Sequence, residues 1–234
     1  MQGMGLIDLA RLRDVPLTRE PFDFIIVEDF LDRASLPALV DAFPAIADHG
    51  SYPLPAVSCD PIFARLAQEL EGGEMRAAIA EKFAIDLDGR PTMITLRGYS
   101  DGKDGGIHTD SATKLITVLI YMNPGWHEAG GRLRLLRGPD DLSDYVAEVP
   151  PLAGTMVAFR RSSTSFHGHH AHIGPRRSIQ LNWVTEPRVV RRELSRHRWS
   201  ARLKALNPLR RHGDWQSPRG LVTSRRSLRT VSAR

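Results

Sequence analysis

Residues 105–111 read GGIHTDS, and residues 164–170 read TSFHGHH. In an extended strand, side chains two apart point to the same face, so His108 and Asp110 converge on one point. A histidine from a distant strand, His167, then completes two imidazoles and one carboxylate on one side of a metal ion. Such a facial set leaves coordination positions open and is a donor set suited to non-haem iron. A barrel whose two sheets curl around a common cavity would bring residues so far apart in the chain to one ion.

The rest of the chain reads as that kind of fold. From Arg90 onward, short apolar runs alternate with Gly, Pro and Asp: TMITLRGY (92–99), LITVLIYM (115–122), GRLRLL (131–136), TMVAF (155–159) and SIQLNWV (178–184). The expected class is mainly β: a double-stranded β-helix, or cupin-like jelly roll, with N-terminal supporting helices in an α+β arrangement. PFDFIIVEDFL (21–31) reads as a strand. DRASLPALVDAF (32–43) reads as an amphipathic helix with Asp32 or Ser35 near its start. Residues 62–84 carry helical spacing with a break at Gly72-Gly73, and both helices are expected on the outside of the larger sheet. The segment 137–150 reads as a long connection. Three regions result: a supporting region 1–90, a jelly-roll core 91–186 and a tail 187–234.

A charged group adds to the metal triad. Alternation places Arg177, Ile179, Leu181 and Trp183 on one face of the last strand, and Ser178, Gln180 and Asn182 on the other. An arginine buried among apolar neighbours needs an anion, and its planar fork suits a carboxylate. Four histidines, His167, His169, His170 and His172, compete to be the third ligand. His169 shares a strand face with His167 and stands as an outer neighbour or a replacement. His127 reads as exposed near the mouth, and His49, His197 and His212 as solvated.

These blocks, in this order, resemble the Fe(II)/2-oxoglutarate-dependent dioxygenases, and within them the prolyl-4-hydroxylase-like group. The resemblance runs from about Met93 to Thr185 and includes PLAGTMVAF (151–159) and GPRRSIQLNW (174–183). It implies His108, Asp110 and His167 as iron ligands and Arg177 as the partner of the distal carboxylate of 2-oxoglutarate. It also implies Tyr121 against the same carboxylate and Tyr99 as a further pocket tyrosine. The implied cofactors are Fe(II), 2-oxoglutarate and O2, with ascorbate a candidate stimulant. The implied activity is hydroxylation of an unactivated C–H, with 2-oxoglutarate decarboxylated to succinate and CO2. A prolyl or other peptidyl side chain is the favoured substrate, with a small molecule as the other possibility. The rival reading is a redox-inert metal barrel acting as an isomerase, hydrolase or binding module.

Charge is unevenly placed. The chain is net +5, but residues 187–234 carry 13 Arg and one Lys against Glu193 and Asp214. The body is therefore mildly acidic, and the high isoelectric point belongs to the tail. LSRHRWSARLKALNPL (194–209) could form a basic amphipathic helix, with Trp199 and Trp215 available to stack on bases. The tail is expected either to dock on the acidic body or to contact an anionic surface such as a membrane, a glycan or nucleic acid. A single cysteine, Cys59, and a start without an apolar leader pattern suggest a cytoplasmic protein.

Overall fold

A computed structural model describes residues 5–191 and Ser195 of the 234-residue chain. The proposed helix at 194–209, apart from Ser195, and the stacking pair Trp199 and Trp215 lie outside the described residues. Among the described residues, helices α1 (Leu9–Asp14), α2 (Leu36–Asp41), α3 (Pro61–Glu71) and α4 (Gly73–Phe83) accompany a set of antiparallel strands. The strands are β1 (Phe24–Val27), β2 (Tyr52–Pro53), β3 (Thr92–Ser100), β4 (Lys114–Tyr121), β5 (Leu133–Leu136), β6 (Tyr145–Val149), β7 (Met156–Arg160), β8 (His167–Gly168) and β9 (Gly174–Val184). They form a six-stranded antiparallel sheet in the order β1-β7-β4-β9-β3-β2 and a three-stranded sheet in the order β6-β5-β8.

Period-two alternation divides the large sheet into two working faces. Ile94, Leu96, Ile116, Val118, Ile120, Ile179, Leu181 and Trp183 pack outward with Phe63, Leu66, Leu70, Ile79 and Phe83 of the helices. Phe24, Tyr121, Val157 and Phe159 point inward and meet Leu133, Leu135 and Val149 of the small sheet. The fold is thus helices, large sheet and small sheet in layers, a jelly roll with its helical support on one side.

Local chemistry sets the helix boundaries. Asp60 accepts the Ile62 N–H at 3.0 Å and Pro61 opens α3, a favourable start because proline lacks an N–H that would otherwise be unpaired. Asp32 accepts from the Ser35 N–H at 2.8 Å, immediately before the short α2. Gly72 interrupts the run 61–83 where the break was expected, separating α3 from α4. The segment 137–150 is more ordered than its sequence suggests, because β6 lies within it. Pairing with β5 buries only Val149 fully, so β6 lacks the apolar run that marks the inner strands.

Gly98 of β3 sits opposite a bulge at Arg176–Arg177 of β9, where the register shifts. A Cβ at Gly98 would fall 2.3 Å from the Ile46 carbonyl oxygen and 2.6 Å from Ile46 Cβ. Gly98→Ala is therefore expected to destabilise the fold by about 1–3 kcal/mol through overpacking. The check is a lower urea midpoint with an unchanged slope.

Candidate metal and co-substrate site

Two backbone hydrogen bonds bring the histidines together. The His108 N–H donates to the His167 carbonyl at 3.0 Å, and the His167 N–H returns the bond to the His108 carbonyl at 3.0 Å. Residues paired this way across an antiparallel ladder project their side chains to the same face. The imidazole centroids lie 4.4 Å apart. Asp110, two residues beyond His108, adds its carboxylate, and the donor atoms of His108, Asp110 and His167 all lie within 4.8 Å of one another. Among the described residues no other group of His, Cys, Asp or Glu has this spacing.

The groups around the triad fix its protonation. The Nδ1 atoms face backbone carbonyls, His108 to Gly106 at 2.8 Å and His167 to Ser165 at 3.0 Å. An N–H on each Nδ1 satisfies those oxygens and leaves each Nε2 lone pair for a metal. Burial of His167 lowers its pKa to about 4, against the pull of Asp110, so the ring is neutral at physiological pH. Burial pushes Asp110 up, but Lys114, His167 and the Thr117 hydroxyl together outweigh it and hold the carboxyl below its ordinary value. Lys114 Nζ lies 2.7 Å from Asp110 Oδ1, and the Thr117 hydroxyl donates to Oδ2. A carboxylate offers about four lone-pair directions, so both bonds leave capacity for an ion. Two imidazoles that present Nε2 and one ionised carboxylate fit an iron(II) ion.

A cavity of about 150 Å³ opens over the triad. Arg97 and Arg176 line it, with Lys114, Thr117, Leu119, Leu133, His169 and Gln180. Here the structure corrects the sequence reading. Arg177 faces the other side of β9, with its Nη1 3.4 Å from the Val40 carbonyl and its guanidinium 5.9 Å from the Phe43 ring centre. Alternation put Arg177 with Ile179, Leu181 and Trp183, and that face packs against the helices, away from the metal. The cavity face carries Ser178 and Gln180, and beyond the bulge Arg176. Tyr99 shares the outer groove with Arg177, Phe43 and Ile46 and does not line the metal cavity. Tyr121 does lie between the sheets, fully buried, with the Arg176 guanidinium 5.4 Å from its ring centre. Burial pushes its hydroxyl pKa up while Arg176 draws it down.

Arg176 is 8% exposed, and its Nε donates to the Gly131 carbonyl at 2.8 Å. The Tyr121 hydroxyl is buried without a hydrogen-bond partner. A buried guanidinium beside an unpaired buried hydroxyl suits a carboxylate, which could accept from both. His169 is half-buried and bonds through Nδ1 to the His170 carbonyl; it stands outside the triad. His170 pairs with Arg134, and His172 stacks on Trp126. His127 is exposed. Arg176 and Arg97 escaped the sequence reading, although alternation held a signal for Arg97. Thr95 and Arg97 are the polar half of a strand whose other half, Ile94 and Leu96, is wholly apolar.

Comparison with known proteins agrees with this geometry. Residues 94–185 match the 2OG-Fe(II) oxygenase superfamily, where 2OG denotes 2-oxoglutarate. A prolyl-4-hydroxylase from Pseudomonas putida is similar in structure, with a TM-score of 0.52 at 20% identity, over 76% of this chain and 98% of that one. A prolyl 4-hydroxylase from Phytophthora capsici aligns with a TM-score of 0.51 at 18% identity, over 78% of this chain and 67% of that one. No curated protein matches the sequence. The chain thus carries a segment, residues 94–185, that matches the 2OG-Fe(II) oxygenase superfamily, and its fold is similar to that of the prolyl-4-hydroxylases. It is an oxygenase that works with Fe(II), 2-oxoglutarate and O2.

The lowered pKa of His167 has a consequence for stability. Between the unfolded value of 6.5 and about 4, the unfolded chain takes up a proton that folded His167 refuses. Stability of the metal-free protein is therefore expected to fall as pH drops through that window, by up to about 1.4 kcal/mol per pH unit for this group. His169, also lowered to about 4 by burial, acts in the same direction. Urea melts across the window check this, and His167→Gln should flatten part of the slope.

Proposed function

We propose that His108, Asp110 and His167 hold the iron, and that Arg176 with Tyr121 takes the distal carboxylate of 2-oxoglutarate. The enzyme hydroxylates an unactivated C–H of a substrate entering past the loop 100–107. The observation that carries this reading is the shared cavity. The triad and a buried arginine face one space, and a buried tyrosine hydroxyl lies close behind. When bound, Fe(II), 2-oxoglutarate and O2 supply the oxidising chemistry, releasing succinate and CO2 and delivering one oxygen atom to the substrate.

The chain's own residues do the rest. Gly106 and Ser165 carbonyls each face an imidazole Nδ1 and so turn both Nε2 atoms toward the metal position. Lys114 and Thr117 keep Asp110 ionised and aimed. Phe159, its ring 4.7 Å from His167, and Leu133 exclude water from the wall behind the triad. No protein group need act as a general base. The similarity to prolyl hydroxylases supports a prolyl or other peptidyl side chain as the substrate, with a free small molecule as the alternative.

The tail of residues 187–234, with its surplus of arginine, is proposed to attach the enzyme to an anionic surface. A cytoplasmic location is supported by the lone cysteine. Among the described residues no helix is long and apolar enough to cross a membrane. Surface attachment by the tail predicts binding to anionic vesicles or nucleic acid that weakens steeply with salt. A chain ending at Pro187 should lose it.

The co-substrate assignment is tested by anaerobic titration of the Fe(II)-loaded protein with 2-oxoglutarate, following the weak visible absorbance of the chelate. Arg176→Ala should weaken binding about 10- to 100-fold, the loss of a charge-assisted pair. Arg177→Ala should leave it within about twofold, since the Arg177 guanidinium lies on the outer face against the Val40 carbonyl and the Phe43 ring. The reverse ranking would return the role to Arg177. No absorbance from folded, iron-loaded wild type would move the site to redox-inert chemistry.

A further inference from the structure

The cavity holds more positive charge than iron and 2-oxoglutarate need. Three cations, Arg97, Lys114 and Arg176, stand against two carboxylates, Asp104 and Asp110. Fe(II) and the 2-oxoglutarate dianion cancel each other, so loading the site leaves this excess unchanged. Lys114 is committed to Asp110 at 2.7 Å. Arg176 is buried beside Tyr121, which places it at the closed end with the co-substrate.

Arg97 has neither fate. It projects from β3 opposite Ser178, two positions from Arg176 on the neighbouring strand. Its side chain is 41% exposed, and among the described residues its one ion pair is long, 3.8 Å to Asp104. Asp104 is partly engaged elsewhere: it accepts the Asp101 N–H at 2.8 Å and anchors the turn of the loop 100–107. Burial and the neighbouring Arg176 disfavour the charged form of Arg97, and Asp104 and Asp110 offset them only in part. An anion between the mouth and the metal would give Arg97 the close partner that Asp104, at 3.8 Å, does not.

We propose that Arg97 is a substrate-binding residue, and that the group hydroxylated lies next to a carboxylate which Arg97 grips at the cavity mouth. The inference rests on the oxygenase reading and adds the chemical class of its substrate. The carboxylate belongs either to a small free acid or to an acidic residue beside the target side chain in a peptide. The bidentate geometry of arginine favours a carboxylate in either case and fixes the target carbon relative to the triad. The small cavity admits a side chain or a small molecule at the metal and leaves the rest of a peptide outside.

The test is calorimetric and needs no turnover. Full-length protein loaded with Zn(II) and saturated with 2-oxoglutarate is titrated with two probe pairs. One pair is N-acetylproline and its amide; the other is a blocked Pro-Asp peptide and its Pro-Asn counterpart. At least one acid should bind about tenfold or more tightly than its neutral mate, and which pair discriminates identifies the source of the carboxylate. Arg97→Gln should abolish that preference, and Arg97→Lys should restore part of it. Both variants should bind 2-oxoglutarate within about twofold of wild type and melt at a similar temperature, which separates recognition from folding. A wild type that binds 2-oxoglutarate but ignores the acid in both pairs overturns this inference alone. So does a preference that survives Arg97→Gln. A wild type that fails to bind 2-oxoglutarate overturns the oxygenase reading and this inference with it.

Discussion

The reciprocal pair of backbone hydrogen bonds between His108 and His167 is the constraint on which the site depends. It closes the ladder between the loop after β3 and the small sheet, and so joins the two sheets at their open end. Neither residue sits in a long strand. β8 has two residues and His108 forms only an isolated bridge. The metal position therefore rests on a short ladder extended from β5, whose Leu135 pairs with His167. Behind it, Phe159 and the inner cluster of Phe24, Val157, Leu133 and Leu135 supply the rigid backing. Short ligand-bearing segments against a well-packed wall leave the mouth free to vary while the metal stays in place.

Electrostatics follows from the same layering. Helices cover the outer face of the large sheet, so that face is apolar and any charge on it must find a partner locally. Arg177 does so through the Val40 carbonyl and the Phe43 ring. The inner face is shared between a dry end, around Phe22, Phe24 and Phe159, and a polar end at the metal. The cations at that polar end face anions. Asp110 is one, Asp104 another, and the co-substrate dianion a third. Burial alone would raise the Asp110 carboxyl and leave a weaker ligand; Lys114 and Thr117 reverse that. The protein holds its metal-binding carboxylate ionised by a neighbouring ammonium, and iron adds to an arrangement already charged.

Much of this could be read from residues. The triad followed from the i, i+2 spacing of His108 and Asp110, a local geometry that any extended strand obeys. The main strand segments and the helix break at Gly72-Gly73 followed from apolar periodicity and glycine. What escaped was direction. Alternation correctly grouped Arg177 with Ile179, Leu181 and Trp183, but it cannot say which face of a strand looks at the metal. Here the more apolar face packs on helices, and the polar face lines the cavity. Strand β6 escaped because an edge strand buried on one side only carries little apolar signal.

The error over Arg177 points to a general inference about strands in layered barrels. When one face of a sheet is wholly covered by helices, its residues form an apolar set, and a charge among them is structural. When the other face bounds a cavity, its polar residues are candidates for contact with ligand. Applied along β3, β4 and β9, that rule selects Arg97, Thr117, Arg176 and Gln180 together. All four line the same space as the triad. Two of them, Thr117 and Arg176, have assigned partners in Asp110 and the co-substrate carboxylate. Gln180 bonds to Asn182, which in turn reaches the Thr117 hydroxyl, so that chain of amides holds the Asp110 support in place. Arg97 is the one of the four left over, charged and half-exposed, and substrate recognition is the task that the cavity has still to assign.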